Sequence, residues 1–232
     1  MELTATQLAQ KIDVSAVQTR HSEPEIRLIA EQARKRGFAA VHVLPCWIPL
    51  LRDLLAGQDR TLVGGPAGFP SGAHRTEVKV AEARWLVADG AQEIDLMINV
   101  GMLRAGRNEY VEEEIRRVVG AVGGVPVKVI LEVAYLEADE IRRACDLSIT
   151  GGAAFVKTAT GWAPSGATLE VVKLITDHVG GAIQVKAAGG IRDLETVRAM
   201  LRMGVARFGI NLQASLDLIQ AVEGVRGGVL EL

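Results

Sequence analysis

The chain has 232 residues and a formal net charge of −2 at pH 7, with 49% hydrophobic and 23% charged residues. Nucleic-acid-binding domains are usually strongly basic, so this balance argues against a nucleic-acid partner. The chain contains no run of about 18 apolar residues, so no membrane span is predicted. The N-terminal stretch has no apolar core of the secretory type. Cys46 and Cys145 cannot build a disulfide framework, and we expect both to be reduced core residues of a cytoplasmic protein.

Eight short apolar runs recur along the chain, roughly 30 residues apart, which is the length of one strand plus one crossover helix. The predicted strands begin, in chain order, at Lys11, Ala39, Thr61, Gln92, Pro126, Ala153, Ala182 and Ala206. Eight such units predict an α/β protein with a closed (β/α)8 TIM barrel, and we expect residues 1–232 to form a single domain. An open doubly wound sheet is the alternative, but no Gly-x-Gly-x-x-Gly follows the first run.

The intervening helices are predicted from apolar periodicity and from their caps. Ser22 and Glu25 form a capping-box pattern at the start of the first long helix, which we expect to end at Gly37. In the helix that precedes Gly90, apolar spacing predicts a buried face made of Val78, Ala81, Trp85 and Ala88. In the following long helix, the expected buried face consists of Val111, Ile115, Val118 and Val122.

Polar side chains fall on one face of four consecutive predicted strands, since side chains alternate along a strand. That face carries Glu93, Asp95, Lys128, Glu132, Lys157, Gln184 and Lys186. The opposite faces are apolar and suit packing against helices. In a barrel the polar face would point inward, and its carboxyl end would form the active site.

Some of these residues suit a structural role and others suit a catalytic role. For Lys128 and Glu132 we favour buried ion pairs, with each other or with neighbours around the barrel. Asp95, Lys157 and Lys186 favour catalysis, because two lysines on adjacent strands repel each other and make a poor structural pair. A neighbouring ammonium and burial both lower the pKa of a lysine, and a neutral amine near pH 7 can form a Schiff base with a carbonyl. A carboxylate with an ordered water would move the protons.

Glycine-rich turns follow the last two predicted strands. Gly189 and Gly190 come directly after Lys186, and Gly209 lies in the last run. Loops after strands seven and eight are the usual phosphate cradle of such barrels. The four histidines, including His42, are scattered without ligand spacing, so we interpret each as an ordinary surface or core residue and expect no metal site.

Several stretches closely resemble the deoxyribose-phosphate aldolase family, and the resemblance covers nearly the whole chain. They are GFPSGAHRTEVKVAEA, GAQEIDLMINVGMLRAG, VKVILEVAYL, GAAFVKTATGW and VKAAGGIRD. The resemblance implies a class I aldolase without cofactor or metal, which cleaves 2-deoxyribose 5-phosphate into glyceraldehyde 3-phosphate and acetaldehyde. By position it makes Lys157 the Schiff-base lysine, Lys186 the second lysine that perturbs it and Asp95 the proton-transfer group. It also implies a phosphate end lined by Gly161, Gly189, Gly190 and Gly209.

The sequence departs from the family pattern mainly where the substrate would bind. After Gly209, the residues Ile210, Asn211 and Leu212 stand where the family has a small residue and two serines, and Asn211 would replace only part of that hydrogen bonding. Ala159 replaces the serine of the lysine motif, and His42 replaces a cysteine. Losing groups that hydrogen-bond a substrate is expected to loosen or redirect specificity.

These departures keep alternatives open. One is a related lysine-dependent aldolase with a different or less phosphorylated acceptor aldehyde. A second is a barrel that binds a sugar phosphate without turnover, and a third is a sugar-phosphate isomerase, for which two lysines have no evident use. The expected partner is a small sugar phosphate or aldehyde, and a homodimer is a candidate assembly. The C-terminal RGGVLEL either closes over the site or extends freely.

Overall fold

The computed structural model describes residues 2–58, 60–225 and 227–231. Each of the eight predicted runs contains a strand, and two short strands flank them. The strands are β1 (Glu2–Thr4), β2 (Ile12–Ala16), β3 (Ala40–Val43), β4 (Leu62–Ala67), β5 (Glu93–Met97), β6 (Val127–Ile130), β7 (Phe155–Lys157), β8 (Gln184–Ala188), β9 (Arg207–Asn211) and β10 (Val229–Glu231). Strands β2 to β9 pair in parallel, in chain order, and close into a barrel. The predicted (β/α)8 fold is therefore confirmed.

Helices connect the strands on the outside of the barrel. They are α1 (Ala5–Ala9), α2 (Glu23–Arg36), α3 (Ile48–Leu55), α4 (Thr76–Asp89), α5 (Val100–Arg104), α6 (Asn108–Ala121), α7 (Ala138–Thr150), α8 (Leu169–Val179), α9 (Leu194–Arg202) and α10 (Leu212–Gly224). The capping box of Ser22 and Glu25 opens α2, and Gly37 closes it with φ 70°, in the left-handed region that glycine adopts without strain. Both predicted ends of this helix are confirmed. No described helix is long and apolar enough to pass through a bilayer.

The core lies between the outer face of the barrel and the inner faces of the helices. The predicted buried face of α6 is confirmed, since Val111, Ile115 and Val118 are fully buried and Val122 follows them into the core. Burying a valine or isoleucine side chain contributes about 1.5–3 kcal/mol, so this face alone anchors the helix firmly.

The predicted buried face of α4 is wrong. Val78 is 47% exposed and Trp85 is 67% exposed. The buried face instead includes Lys79, whose ammonium contacts Glu114 of α6 at 2.6 Å and the carbonyl of Met97 at 2.8 Å. A buried ammonium needs such partners, and in this rotation α4 also buries Val80, Ala83 and Leu86.

The described part of the C-terminal segment lies at the end of the barrel opposite the carboxyl ends of its strands. Strand β10 pairs antiparallel with β1, and Leu230 lies opposite Leu3, with both buried. Since β1 and α1 lead into the amino end of β2, residues 227–231 do not cover the carboxyl-end mouth. Arg226 and Leu232 of the RGGVLEL segment lie outside the described residues.

The two cysteines differ in environment. Cys145 of α7 is buried, as predicted, whereas Cys46 is exposed, so its prediction as a core residue is wrong. Cys46 lies in a 3₁₀ turn, Pro45–Trp47, where the chain leaves β3 and turns outward before α3. Strand periodicity no longer applies there, which is why the apolar neighbourhood misled the sequence-based prediction.

Candidate active site

The register of the barrel brings three predicted site residues to one point. Lys157 of β7 is paired with Lys186 of β8, and Asp95 is two strands away on β5. The carboxylate oxygen Oδ2 of Asp95 accepts hydrogen bonds from Lys157 Nζ at 2.7 Å and from Lys186 Nζ at 3.0 Å. All three are buried and line a cavity of about 500 Å³ that opens at the carboxyl ends of the strands. Catalytic sites of such barrels are built at this end.

The pKa of Lys157 is lowered to about 8 from an ordinary value of 10.5, with burial as the largest cause; Asp95 opposes this shift and the charge of Lys186 adds to it. The largest of these causes is burial, so Lys186 is a smaller contributor than the sequence suggested. About a tenth of Lys157 is therefore neutral at pH 7, about 300-fold more than for an ordinary lysine. A nucleophilic amine needs this neutral form.

Lys186 behaves differently although it is even more deeply buried than Lys157. Burial alone would lower its pKa, but Asp13 and Asp95 outweigh that effect and raise it. Lys186 Nζ lies 2.8 Å from Asp13 Oδ2 and 3.0 Å from Asp95 Oδ2. It therefore stays an ammonium next to Lys157, and the two lysines have distinct charge states.

Asp95 is held in its ionised form. Burial by itself would raise its pKa, but attraction to His42, Lys157 and Lys186 holds the pKa well below 3.8. A carboxylate with these partners stabilises positive charge on either lysine and can exchange protons with a neighbouring amine or water.

A charged layer supports the site from below. Lys128 contacts Asp13 at 2.8 Å and also contacts Glu93, while Arg207 contacts both of these carboxylates, with 2.8 Å to Glu93 Oε1. Together with Asp95 and Lys186, this layer holds three carboxylates and three cations. It is balanced without any charge on Lys157, so a proton on Lys157 adds an unmatched positive charge. The prediction that Lys128 pairs with neighbours around the barrel is confirmed.

Glu132 does not join that layer, so its predicted pairing with Lys128 is not formed. It stands just after β6 with φ 54°, a conformation that non-glycine residues rarely adopt. Its carboxylate accepts hydrogen bonds from the Thr160 backbone N–H at 3.2 Å and from the Thr160 hydroxyl. Burial raises its pKa, and the bonds from Thr160 oppose that rise. Glu132 therefore holds the loop that follows Lys157.

The five residues predicted at the phosphate end all line the cavity: Gly161, Gly189, Gly190, Gly209 and Asn211. Their surroundings differ. A Cβ at Gly161 or Gly190 would meet nothing within 4 Å, so these positions leave space open. A Cβ at Gly189 would lie 2.9 Å from Gly166 Cα, and one at Gly209 would lie 3.3 Å from Lys186 Cε. The latter two glycines therefore make room for protein groups.

Asn211 is occupied as a helix cap. Its side-chain oxygen accepts the backbone N–H of Ala214 at 3.0 Å at the start of α10. This directs the amino end of α10, with Leu212 and Gln213, toward the cavity. Helix amino ends favour anions because their first N–H groups have no partner within the helix.

Several cavity residues were missed from the sequence. His42 lies among Asp13, Glu93 and Asp95, and Arg20 and Arg192 line the mouth. The alternation of Ala40 and His42 on β3 was a usable signal, since it places the imidazole on the inward face. The two arginines lie in loops after β2 and β8, where no periodicity indicates direction.

One set of possible metal ligands exists among the described residues. Ligand atoms of Asp13, His42 and Glu93 lie within 4.8 Å of one another. Both carboxylates already contact Lys128 and Arg207, and these positive charges disfavour a metal cation there.

Comparisons with known proteins agree with this architecture. The family model described as DeoC/LacD family aldolase matches residues 10–216. A deoxyribose-phosphate aldolase of Rhizobium meliloti (strain 1021) is 51% identical over 230 residues, covering 99% of this chain and 93% of that protein. The solved structure of QR15, an aldolase, has a TM-score of 0.86 at 36% identity and covers 92% of this chain and 95% of that chain. A tetrameric deoxyribose phosphate aldolase from Aeropyrum pernix has a TM-score of 0.85 at 25% identity, covering 96% of this chain and 93% of that chain.

Fold and site thus define a (β/α)8-barrel enzyme with a lysine and carboxylate centre at the carboxyl ends of its strands. Within this class, the family-model match over residues 10–216 and the 51% identity to the Rhizobium meliloti protein identify the family. The chain belongs to the DeoC/LacD family of aldolases.

Proposed function

We propose that the enzyme reversibly cleaves 2-deoxy-D-ribose 5-phosphate into D-glyceraldehyde 3-phosphate and acetaldehyde through a Schiff base on Lys157. The observation that carries the proposal is the buried Lys157, whose pKa is lowered to about 8 and whose Nζ lies 2.7 Å from Asp95 at the mouth of the barrel. The relative from Rhizobium meliloti, named a deoxyribose-phosphate aldolase, supports the choice of substrate.

The chemistry begins with attack of the neutral Lys157 amine on the aldehyde carbon of the open-chain sugar. The carbinolamine loses water and leaves an iminium ion. The bond between the α and β carbons then breaks: its electron pair moves toward the iminium, while the β-hydroxyl loses its proton and becomes the carbonyl of the product aldehyde. The product aldehyde departs, and the remaining enamine takes up a proton and is hydrolysed to acetaldehyde. Asp95, with an ordered water, moves the protons of carbinolamine formation, dehydration and enamine protonation. Burial and the charge of Lys186 together keep the Lys157 amine partly neutral.

For the phosphate we propose the end of the cavity formed by Gly161, Gly189, Gly190, Gly209 and Asn211. Gly161 and Gly190 leave open space there, and the amino end of α10 supplies partial positive charge. Arg20 and Arg192 at the mouth add full positive charges that suit a dianion.

We also propose that residues 1–232 form one domain and that the protein acts in the cytoplasm as a homodimer. The exposed apolar stripe of α4, with Val78 and Trp85, supports an assembly of subunits. For its part, the Aeropyrum pernix relative is tetrameric.

A second candidate function is an aldolase for a different or less phosphorylated acceptor aldehyde. Leu212, an apolar residue, lines the cavity where the family pattern has a serine, which favours this candidate. Comparing the cleavage of 2-deoxyribose 5-phosphate with that of 2-deoxyribose separates the two candidates. A strong preference for the phosphorylated sugar supports the first.

The Schiff base itself is tested by reduction. Sodium borohydride is expected to inactivate the enzyme irreversibly when acetaldehyde is present and to leave it active when acetaldehyde is omitted. Peptide mass mapping should find the added two-carbon group on Lys157. A reduced adduct on Lys186, Lys128 or any other residue would contradict the proposal.

The phosphate end is tested by Leu212→Ser. Leu212 is the first residue of α10 and lines the cavity, so a serine adds a hydroxyl donor. A hydrogen bond to a charged group contributes about 1.5 kcal/mol or more, so KM for 2-deoxyribose 5-phosphate should fall about tenfold. The KM for unphosphorylated 2-deoxyribose is the control and should not change. Equal KM values for the phosphorylated sugar in variant and wild type would place the phosphate elsewhere.

A further inference from the structure

His42 is a buried side chain to which the chemistry above assigns no role. It is 3% exposed, lines the active-site cavity and projects from β3 toward Asp95. Its Nδ1 lies 3.6 Å from Asp95 Oδ2, and its Nε2 lies 3.6 Å from Asp13 Oδ2 and 3.9 Å from Glu93 Oε2. These distances exceed those of hydrogen bonds. Within residues 2–58, 60–225 and 227–231, neither ring nitrogen has a hydrogen-bond partner.

A buried imidazole without partners is costly, since an unpaired buried polar group loses its hydration without compensation. The ring position is nevertheless well defined. His42 is the register partner of Gly64 on β4, and a Cβ at Gly64 would lie 2.3 Å from His42 Cε1. The imidazole therefore packs directly on the glycine backbone, in space that any other residue at position 64 would fill.

We propose that His42 is a further catalytic residue, which binds the substrate hydroxyl next to the bond that is cleaved and accepts its proton. This assignment rests on the proposed Schiff base at Lys157. As the hydroxyl proton moves to a ring nitrogen, the oxygen forms the new carbonyl. The electron pair of the breaking carbon–carbon bond then enters the iminium and gives the enamine. In the synthetic direction the same nitrogen returns the proton to the acceptor's carbonyl oxygen.

The distances allow this contact. Lys157 Nζ and His42 Nδ1 both lie near the same Asp95 oxygen, at 2.7 and 3.6 Å, so the two nitrogens are at most about 6.3 Å apart. In the iminium, the hydroxyl oxygen is four bonds from the lysine nitrogen, a span of roughly 4–5 Å. The oxygen can therefore reach hydrogen-bond distance from Nδ1 while the sugar is attached to Lys157.

Asp95 is poorly suited to this one proton. Its oxygen Oδ2 already accepts bonds from both lysines, which places it for proton transfers at the amine, whereas both ring nitrogens of His42 have no hydrogen-bond partner among the described residues. Imidazole both accepts and donates a proton under near-neutral conditions. His42 releases the accepted proton to solvent, and the enamine carbon later takes up one proton. The cycle therefore has no net gain or loss of protons.

The test separates formation of the enamine from cleavage of the carbon–carbon bond. Exchange of the methyl hydrogens of acetaldehyde in D2O, followed by NMR, requires the Schiff base and enamine but no acceptor aldehyde. Cleavage of 2-deoxyribose 5-phosphate requires the hydroxyl proton to leave as well. Both rates are measured for the wild type, His42→Phe, His42→Asn and the control His178→Phe. His178 pairs with Asp146 on the outer helices.

His42→Phe keeps a ring against Gly64 and removes both nitrogens. We expect its kcat for cleavage to fall about 100-fold, as for loss of a general base, and its exchange rate to stay within about threefold of the wild type. His42→Asn retains a polar atom close to the position of Nδ1 and should recover part of the cleavage. His178→Phe should match the wild type in both assays.

Gly64→Ala offers a second route should the phenylalanine variant fail to fold, because it displaces an intact imidazole. The same separation of exchange and cleavage is expected for it. Parallel loss of both rates in these variants, or no loss of cleavage, overturns the role of His42. If the wild type itself exchanges no acetaldehyde hydrogens, it is the Schiff base on Lys157 that fails.

Discussion

Replacement of Lys157 by leucine is expected to abolish aldol cleavage, with kcat lowered by at least about 10⁴-fold, as for the loss of other covalent nucleophiles. Leucine cannot form the iminium that accepts the electron pair of the breaking bond, and no other side chain of the site can replace Lys157 in this role. Lys186 is buried beside the same Asp95 oxygen, but its pKa is raised, so it stays an ammonium and does not take over. Borohydride with acetaldehyde should leave the variant unlabelled.

The fold should tolerate this change. A lysine whose pKa falls from 10.5 to about 8 on folding destabilises the folded state below pH 8 by about 3 kcal/mol. This penalty declines as the pH rises from 8 to 10.5, since the unfolded state binds more protons over that range. Leucine removes the penalty, and Asp95 keeps Lys186 at 3.0 Å. The free energy of unfolding in urea at pH 7 should therefore be no lower than that of the wild type.

Lys173→Leu is the matched control for losing a lysine. Lys173 is an exposed residue of α8 that pairs with Asp177, and such surface pairs contribute about 0–1 kcal/mol. Its cleavage rate and its labelling by borohydride should equal those of the wild type. Residual cleavage in Lys157→Leu above about one per cent, with a folded protein, would contradict the assignment of the nucleophile.

The barrel and its central charges were predictable from the sequence because they depend on short-range alternation. Each strand is short, so the period of two fixes which residues point inward, and eight repeats leave few topologies. This is why Asp95, Lys157 and Lys186 were found together. The pairing of Lys128 with Asp13 and Glu93 needed the register of β2, β5 and β6, which no local pattern contains.

Apart from the local turn at Cys46, the features that sequence reasoning missed depend on tertiary contacts. The exposed stripe of α4 was predicted as buried because helix periodicity favours apolar residues, whereas the helix buries Lys79, paired with Glu114, together with Val80 and Leu86. The role of His42 depends on Gly64 across the neighbouring strand. The pairing of β1 with β10 joins opposite ends of the chain, which no local pattern predicts.

Lys186→Leu is expected to shift the acid limb of the kcat/KM profile for cleavage upward by about one pH unit or more. In the wild type, Lys128, Lys186 and Arg207 balance three carboxylates, and Lys186 lowers the pKa of Lys157. Without Lys186 the layer has an excess negative charge, so a proton on Lys157 is attracted and its pKa rises. An opposite or like charge at such distances shifts a pKa by about 1–3 units.

The upward direction of the pKa shift determines the pH range in which activity is lost and the range in which it recovers. With a pKa near 8, about a tenth of Lys157 is neutral at pH 7. A rise of about one unit reduces that fraction about tenfold, so kcat/KM falls most below pH 8 and recovers as the pH approaches 10. Lys186→Arg, which keeps the positive charge, is the matched control and should leave the acid limb in place. An unshifted limb in Lys186→Leu would show that burial alone sets the pKa of Lys157, because the neighbouring charge would then have no measurable effect on the nucleophile.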